Sequence, residues 1–208
     1  MSTFKEIFGH HHHEDKTKHK GPLKLIMLGG EGSGKTPFLQ KLSMINTQQA
    51  DGGGKFPIKE LEVNGKKLKI ELWDTLSLEK IGSIPDGYYA GADIAIGMYT
   101  RNYALSLLKL REEIEKLHSV SNPTEKPLIL IVENFEAADL AMKEAAENVS
   151  SPEVSAMRAR VQAPFISILL EKATPQFLEE VLIKFLKESM SGYTQGTQGP
   201  LPYIPMEK

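Results

Sequence analysis

From residue 23 to residue 190, short apolar runs alternate with stretches whose apolar positions recur every three or four residues. "LKLIMLG", Leu23 to Gly29, is a continuous apolar run closed by glycines, which predicts a strand buried on both faces. In "GKTPFLQKLSMI", Phe38, Leu39, Leu42 and Ile45 share one face of a predicted helix. Pro37 suits the first turn of that helix, where amides lack partners anyway. "FPIKELEV" and "KKLKIELWD" read as two strands joined by Asn64-Gly65, a two-residue hairpin signal because both positions tolerate positive φ. Alternation in the second turns Leu68, Ile70 and Leu72 inward and Lys67, Lys69 and Glu71 outward. "ADIAIGMYT" and "PLILIVEN" predict two more buried strands, with a helix around "ALSLLKLREEIEKLH" between them. The alanine-rich stretch from Phe135 to Arg160 reads as helix interrupted at Ser150-Ser151-Pro152. "APFISILL" predicts a last strand, and "TPQFLEEVLIKFLKES" a last amphipathic helix capped by Thr174.

Strand–helix alternation with one antiparallel hairpin implies an α/β fold: a mostly parallel sheet covered by helices on both faces. The chain divides into an arm (1–22), one domain (23–190) and a tail (191–208) rich in Gly, Pro, Thr and Gln. The arm contains His10, His11, His12, His13 and His19, either a metal-binding tract or a solvated arm or tag remnant; no second ligand cluster accompanies it. At 208 residues the chain can bury a substantial core. A formal net charge of -2 points to neither nucleic acid nor an acidic membrane surface. The absence of cysteine removes disulfides, thiolate metal sites and prenyl or palmitoyl anchors, and fits a reducing compartment. No run approaches the ~20 apolar residues of a membrane span. The expectation is a soluble intracellular protein without a membrane anchor.

Chemistry concentrates in "LGGEGSGKTPF". Gly29, four residues, then Gly34-Lys35-Thr36 make a phosphate-binding loop between a predicted strand and a predicted helix, a context that a chance glycine-rich turn would not need. Backbone amides of Gly29, Gly30, Glu31, Gly32, Ser33 and Gly34 would cradle phosphates, and the helix N-terminus, whose first turn holds Pro37, would add positive potential beside them. Lys35 would neutralise phosphate oxygens, and Thr36 would ligate Mg²⁺. Asp74, ending "LKIELWD", stands where a nucleotide protein needs a metal-side carboxylate, unless it only caps a turn.

"KLIMLGGEGSGKTPF", "IELWDT" and "IPDGYYAGADIAIGMYT" resemble the Ras superfamily of small GTPases over Leu23 to about Ser189, and within it the Ran branch, on Glu79-Lys80-Ile81-Gly82 and Asp86-Gly87-Tyr88-Tyr89. The resemblance implies a six-stranded P-loop domain that binds GTP or GDP with Mg²⁺. It also implies protein effectors or transport-type partners, and a cytoplasmic or nuclear location. Several motifs depart from the family pattern. Asp-Thr-Ala-Gly-Gln becomes Asp74-Thr75-Leu76-Ser77-Leu78, and Leu78 cannot orient a water as the family glutamine does. Glu31 replaces a small loop residue and brings negative charge toward the γ-phosphate. Around Asp51-Gly52-Gly53-Gly54 no threonine is available to the metal, and Thr47 lies four residues earlier. Asn-Lys-x-Asp becomes Asn134-Phe135-Glu136-Ala137, in which Phe135 would stack on the base and the base-reading Asp is missing unless Glu136 or Asp139 replaces it. Ser-Ala-Lys becomes Leu170-Glu171-Lys172, keeping only Lys172. The reading is a guanine-nucleotide switch or binding module with weak or absent hydrolysis. The alternatives are a P-loop phosphotransferase, for which Arg101, Arg111, Arg158 and Arg160 supply no arginine in a Gly-rich lid, or an empty scaffold.

Overall fold

The computed structural model describes residues 21–48, 56–74, 84–101, 103–122, 126–135, 152–161 and 163–190. The strands are β1 (Leu23–Leu28), β2 (Thr47–Gln48), β3 (Ile58–Val63), β4 (Lys66–Trp73), β5 (Ile94–Thr100), β6 (Leu128–Asn134) and β7 (Phe165–Ile168). The helices are α1 (Lys35–Leu42), α2 (Asp86–Tyr89), α3 (Ala104–Val120), α4 (Pro152–Val161) and α5 (Pro175–Met190). The arm, apart from Gly21 and Pro22, and the tail lie outside the described residues, as does the proposed helical stretch before Pro152.

The sheet runs β2-β3-β4-β1-β5-β6-β7. It has seven strands rather than the expected six, because Thr47 and Gln48 pair antiparallel with Lys59 and Ile58. Two polar residues carry no alternation signal, so pairing rather than local pattern makes β2 a strand. β1 pairs parallel with β4 and with β5, β5 with β6, and β6 with β7. The β3–β4 hairpin is antiparallel, and its turn is made by Asn64 (φ 53) and Gly65 (φ 73) as the dipeptide predicts.

Alternation along β1 splits the core in two. Leu23, Leu25 and Met27 join Phe38, Leu39 and Leu42 of α1 and Leu178, Leu182 and Phe185 of α5. Ile26 and Leu28 join Tyr88 and Tyr89 of α2 and Leu107, Leu110, Ile114 and Leu117 of α3. Helices therefore cover both faces, and all β1 side chains but Lys24 are buried. Ile45 falls outside α1, which ends at Leu42 when the Ser43 and Met44 amides bond back to Leu39 and Lys41. Thr174 does cap α5: the Phe177 amide donates to its Oγ1 at 3.1 Å. No helix among the described residues is long and apolar enough to cross a membrane.

β1 runs on past its last pairing with β4, at Ile26–Trp73, and Tyr88 takes over there. Its buried hydroxyl accepts from the Met27 amide at 3.0 Å, and the Met27 and Trp73 carbonyls, at 3.0 and 3.1 Å, can take its proton. Burial, against the bond to Met27 and reinforced by Glu113, Asp74 and Tyr89, raises the phenol well above its ordinary pKa, so it stays a neutral donor. Tyr88→Phe should cost about 1–3 kcal/mol by urea unfolding, the range for stranding buried backbone polar groups. A change under ~0.5 kcal/mol would mean that water replaces the hydroxyl.

Candidate functional site

β1 is the strand at which the chain changes sides of the sheet: β2, β3 and β4 lie on one side of it, β5, β6 and β7 on the other. Such a switch point opens a crevice at the carboxyl ends of the strands. The Gly29–Gly34 loop leaves β1 there and enters α1. It fits only because glycine occupies two tight positions. A Cβ on Gly29 (φ 129) would stand 2.1 Å from the Met98 carbonyl oxygen. One on Gly34 (φ 97) would stand 2.9 Å from Leu170 Cδ2 and 3.1 Å from Asn134 Nδ2. Both need a positive φ that L side chains rarely adopt.

Within the loop the Ser33 amide donates to the Gly30 carbonyl at 3.3 Å, folding the chain into a concave turn. Lys35, 5% exposed, donates to the Gly29 carbonyl at 2.6 Å and the Gly30 carbonyl at 2.8 Å. Its ammonium is thus held at the loop mouth by the loop's own backbone. Ser33 lies wholly buried under the loop, its Oγ without a hydrogen-bond partner, so only its backbone can face a ligand. Glu31 and Gly32 stand exposed at the tip, and Pro37 is exposed in the first turn of α1. Glu31 borders a cavity of about 510 Å³ toward α2 and α3, together with Tyr89, Tyr103, Leu105 and Lys109.

The structure brings together the two side chains expected to hold a metal. Thr36, one residue into α1, and Asp74, one residue past β4, approach until Thr36 Oγ1 donates to Asp74 Oδ1 at 3.4 Å. A hydroxyl beside a carboxylate is a hard-oxygen pair suited to Mg²⁺, which keeps waters and phosphate oxygens in its remaining positions. No group of three or more His, Cys, Asp or Glu side chains that could hold a metal gathers anywhere among the described residues.

The residues expected to meet a base come from three distant segments. Asn134, closing β6, accepts from the Leu170 amide at 3.4 Å and points its amide nitrogen at Gly34. Lys41 of α1 donates to the carbonyls of Leu170 (2.7 Å), Glu171 (2.9 Å) and Ala173 (2.9 Å), fixing the turn that carries exposed Lys172. Phe135, expected to offer its ring to a base, is instead 4% exposed, with the Arg101 guanidinium 4.9 Å from its ring centroid. Thr47 sits in β2 and donates to the Ile45 carbonyl at 3.0 Å. Ser77, Leu78, the glycines at 52–54, Glu136 and Asp139 lie outside the described residues.

Sequence reasoning missed Lys41 and also Glu113, whose carboxylate accepts from the Gly29 amide at 2.6 Å and pins the loop to α3. Both look like ordinary charged positions on helix faces, and only the fold brings them to the loop.

Residues 24–189 match the Ras family. The chain is 31% identical over 121 residues to GTP-binding protein yptV5 of Volvox carteri, a stretch covering 55% of this chain and 59% of that protein. It is 34% identical over 120 residues to Ypt/Rab-type GTPase ypt7 of Schizosaccharomyces pombe, covering 55% and 58%. It is 33% identical over 123 residues to Ras-related protein RABG3a of Arabidopsis thaliana, covering 55% and 59%. The chain therefore spans little more than half the length of these relatives, which bear Ypt and Rab names rather than the Ran names expected from Asp86-Gly87-Tyr88-Tyr89. The family match extends from β1 into α5 on a phosphate-loop fold, and the chain belongs to the Ras family.

Proposed function

We propose that this chain binds a guanine nucleotide with Mg²⁺ at the 29–36 loop and acts as a switch or binding module with little or no GTP hydrolysis. The observation that carries this reading is the joint placement of Lys35 at the loop mouth and of Thr36 against Asp74. Lys35 binds and orients the phosphates, while the loop amides and the α1 N-terminus add positive potential. Thr36 and Asp74 would hold Mg²⁺, which when bound neutralises phosphate charge. The names of the relatives, GTP-binding protein and GTPase, support guanine over adenine. Membership of the Ras family supports protein effectors, for which the Ypt and Rab names of the relatives suggest a Rab/Ypt-like rather than a Ran-like kind, and we place the protein in the cytoplasm or nucleus.

Slow hydrolysis rests on three residues. Leu78 has no atom to orient a water, Ser77 lacks glycine's freedom beside the γ-phosphate, and Glu31 adds negative charge at the loop tip. Nucleotide extracted from the purified protein should be guanine-based, and single-turnover GTP cleavage should fall well below that of an active small GTPase. Leu78→Gln alone should restore little; Glu31→Gly, Ser77→Gly and Leu78→Gln together should restore more. Adenine nucleotide in the extract would favour a phosphotransferase, and ordinary cleavage rates would remove the hydrolysis claim.

A further inference from the structure

Resting on the nucleotide reading above, we infer that Arg101 is the base- and ribose-stacking residue of this site, presenting its guanidinium plane where Phe135 was expected to present a ring. Phe135 has almost no exposed surface, and the group lying over it is Arg101, whose side chain remains 27% exposed. Arg101 follows β5 directly. Its amide donates to the Asn134 carbonyl at 2.9 Å, and the preceding Thr100 hydroxyl donates to the Gly32 carbonyl at 3.3 Å. Arg101 thus stands between the phosphate loop and the Asn134–Phe135 corner. A nucleotide with its phosphates in the loop must lay its sugar and base across that gap, outside the carboxyl ends of β5 and β6.

The guanidinium is fixed, as a stacking surface must be. Arg101 Nη2 pairs with Glu133 Oε2 at 2.5 Å. The same carboxylate accepts from the Tyr99 hydroxyl at 2.9 Å and the Ser167 hydroxyl at 2.7 Å. Burial alone would push the Glu133 carboxyl up, but the bonds from Arg101, Ser167 and Tyr99 together hold it below its ordinary value, so the pair stays charged at neutral pH. Planar, weakly hydrated and permanently charged, arginine stacks on ring systems as lysine cannot. Such a plane grips any base by its π-face without reading its edge. Arg101 therefore supplies affinity for the nucleoside part and little discrimination between guanine and adenine.

The test is calorimetric titration with GTP, ATP and inorganic tripolyphosphate, each with Mg²⁺, on the wild type, Arg101→Ala and Arg101→Lys. Both variants should lose about tenfold in affinity for GTP and ATP alike while keeping that for tripolyphosphate. Arg101→Lys retains a cation for Glu133, so it guards against misfolding of the alanine variant. Loss of tripolyphosphate binding in step with the nucleotides would make Arg101 a structural support of the loop and overturn the inference. Unchanged nucleotide affinity in Arg101→Lys would reduce Arg101 to a charge partner of Glu133 and overturn it equally. Wild-type binding of tripolyphosphate no weaker than that of GTP leaves the phosphate loop standing and sinks the stacking role alone. Wild-type protein that takes up none of the three probes would defeat the nucleotide reading itself, and this inference with it.

Discussion

Lys35→Ala is expected to lower nucleotide affinity by at least about 100-fold. Hydrogen bonds to a charged group contribute about 1.5–3 kcal/mol each, and an ammonium shared between two phosphates makes at least two of them. The ammonium already sits at the loop mouth, donating to the Gly29 and Gly30 carbonyls, so little ordering remains to be done when phosphate arrives. The alanine variant also strips a buried donor from those carbonyls, although the Gly30 carbonyl keeps the Ser33 amide. Folding should therefore suffer by only about 1 kcal/mol, far less than binding. Titration with GTP and Mg²⁺, beside a thermal melt of the free protein, separates the two effects. Wild-type affinity in a folded Lys35→Ala protein would mean that nucleotide, if bound, lies elsewhere.

The loop side of the candidate site was legible because it is local. Strand, loop and helix follow one another within twenty residues, and each glycine and the Lys35-Thr36 pair serve the element in which they stand. Asp74 was legible for a related reason: the alternation of "LKIELWD" ends on it, and β4 is the strand beside β1. The side of the candidate site expected to meet a base was not. Its shape depends on Lys41 reaching the carbonyls of the turn after β7, and on Arg101 reaching Glu133 and Phe135 across the β5–β6 edge. A lysine on α1 and an arginine after β5 look like solvated charges until the sheet order puts their partners beside them. Phe135 illustrates the limit best. An aromatic residue in the place of a stacking lysine suggests a ring offered to the base, but the register of β6 on β5 brings Arg101 over that ring first. β2 escaped for the opposite reason: it has no pattern of its own, and its strand character is lent by β3.

The second large effect is expected at the opposite edge of the sheet. In "IKELEV" the alternation that buries Leu61 and Val63 also buries Lys59, which is 0% exposed on the core-facing side of β3. Its ammonium pairs with Glu179 of α5 at 2.6 Å and donates to the Ile45 carbonyl at 2.7 Å. Asn46, held at φ 49, donates to the same carboxylate at 3.2 Å. The carboxylate thus links α5 to β3 and to the chain entering β2. Glu179→Leu would leave the ammonium buried with a single carbonyl, and removing one partner of a buried pair costs about 3–5 kcal/mol. Lys59→Met should cost less, because Glu179 is 16% exposed and keeps Asn46. The double variant should regain most of the loss, since two apolar side chains need no charge compensation in that space. Urea unfolding of the three proteins forms a double-mutant cycle, and the coupling should exceed about 1 kcal/mol, as contacting residues in one network do. Additive losses would show that Lys59 finds its compensation in the Ile45 carbonyl and in water. The link between α5 and the β2–β3 edge would then be apolar packing alone.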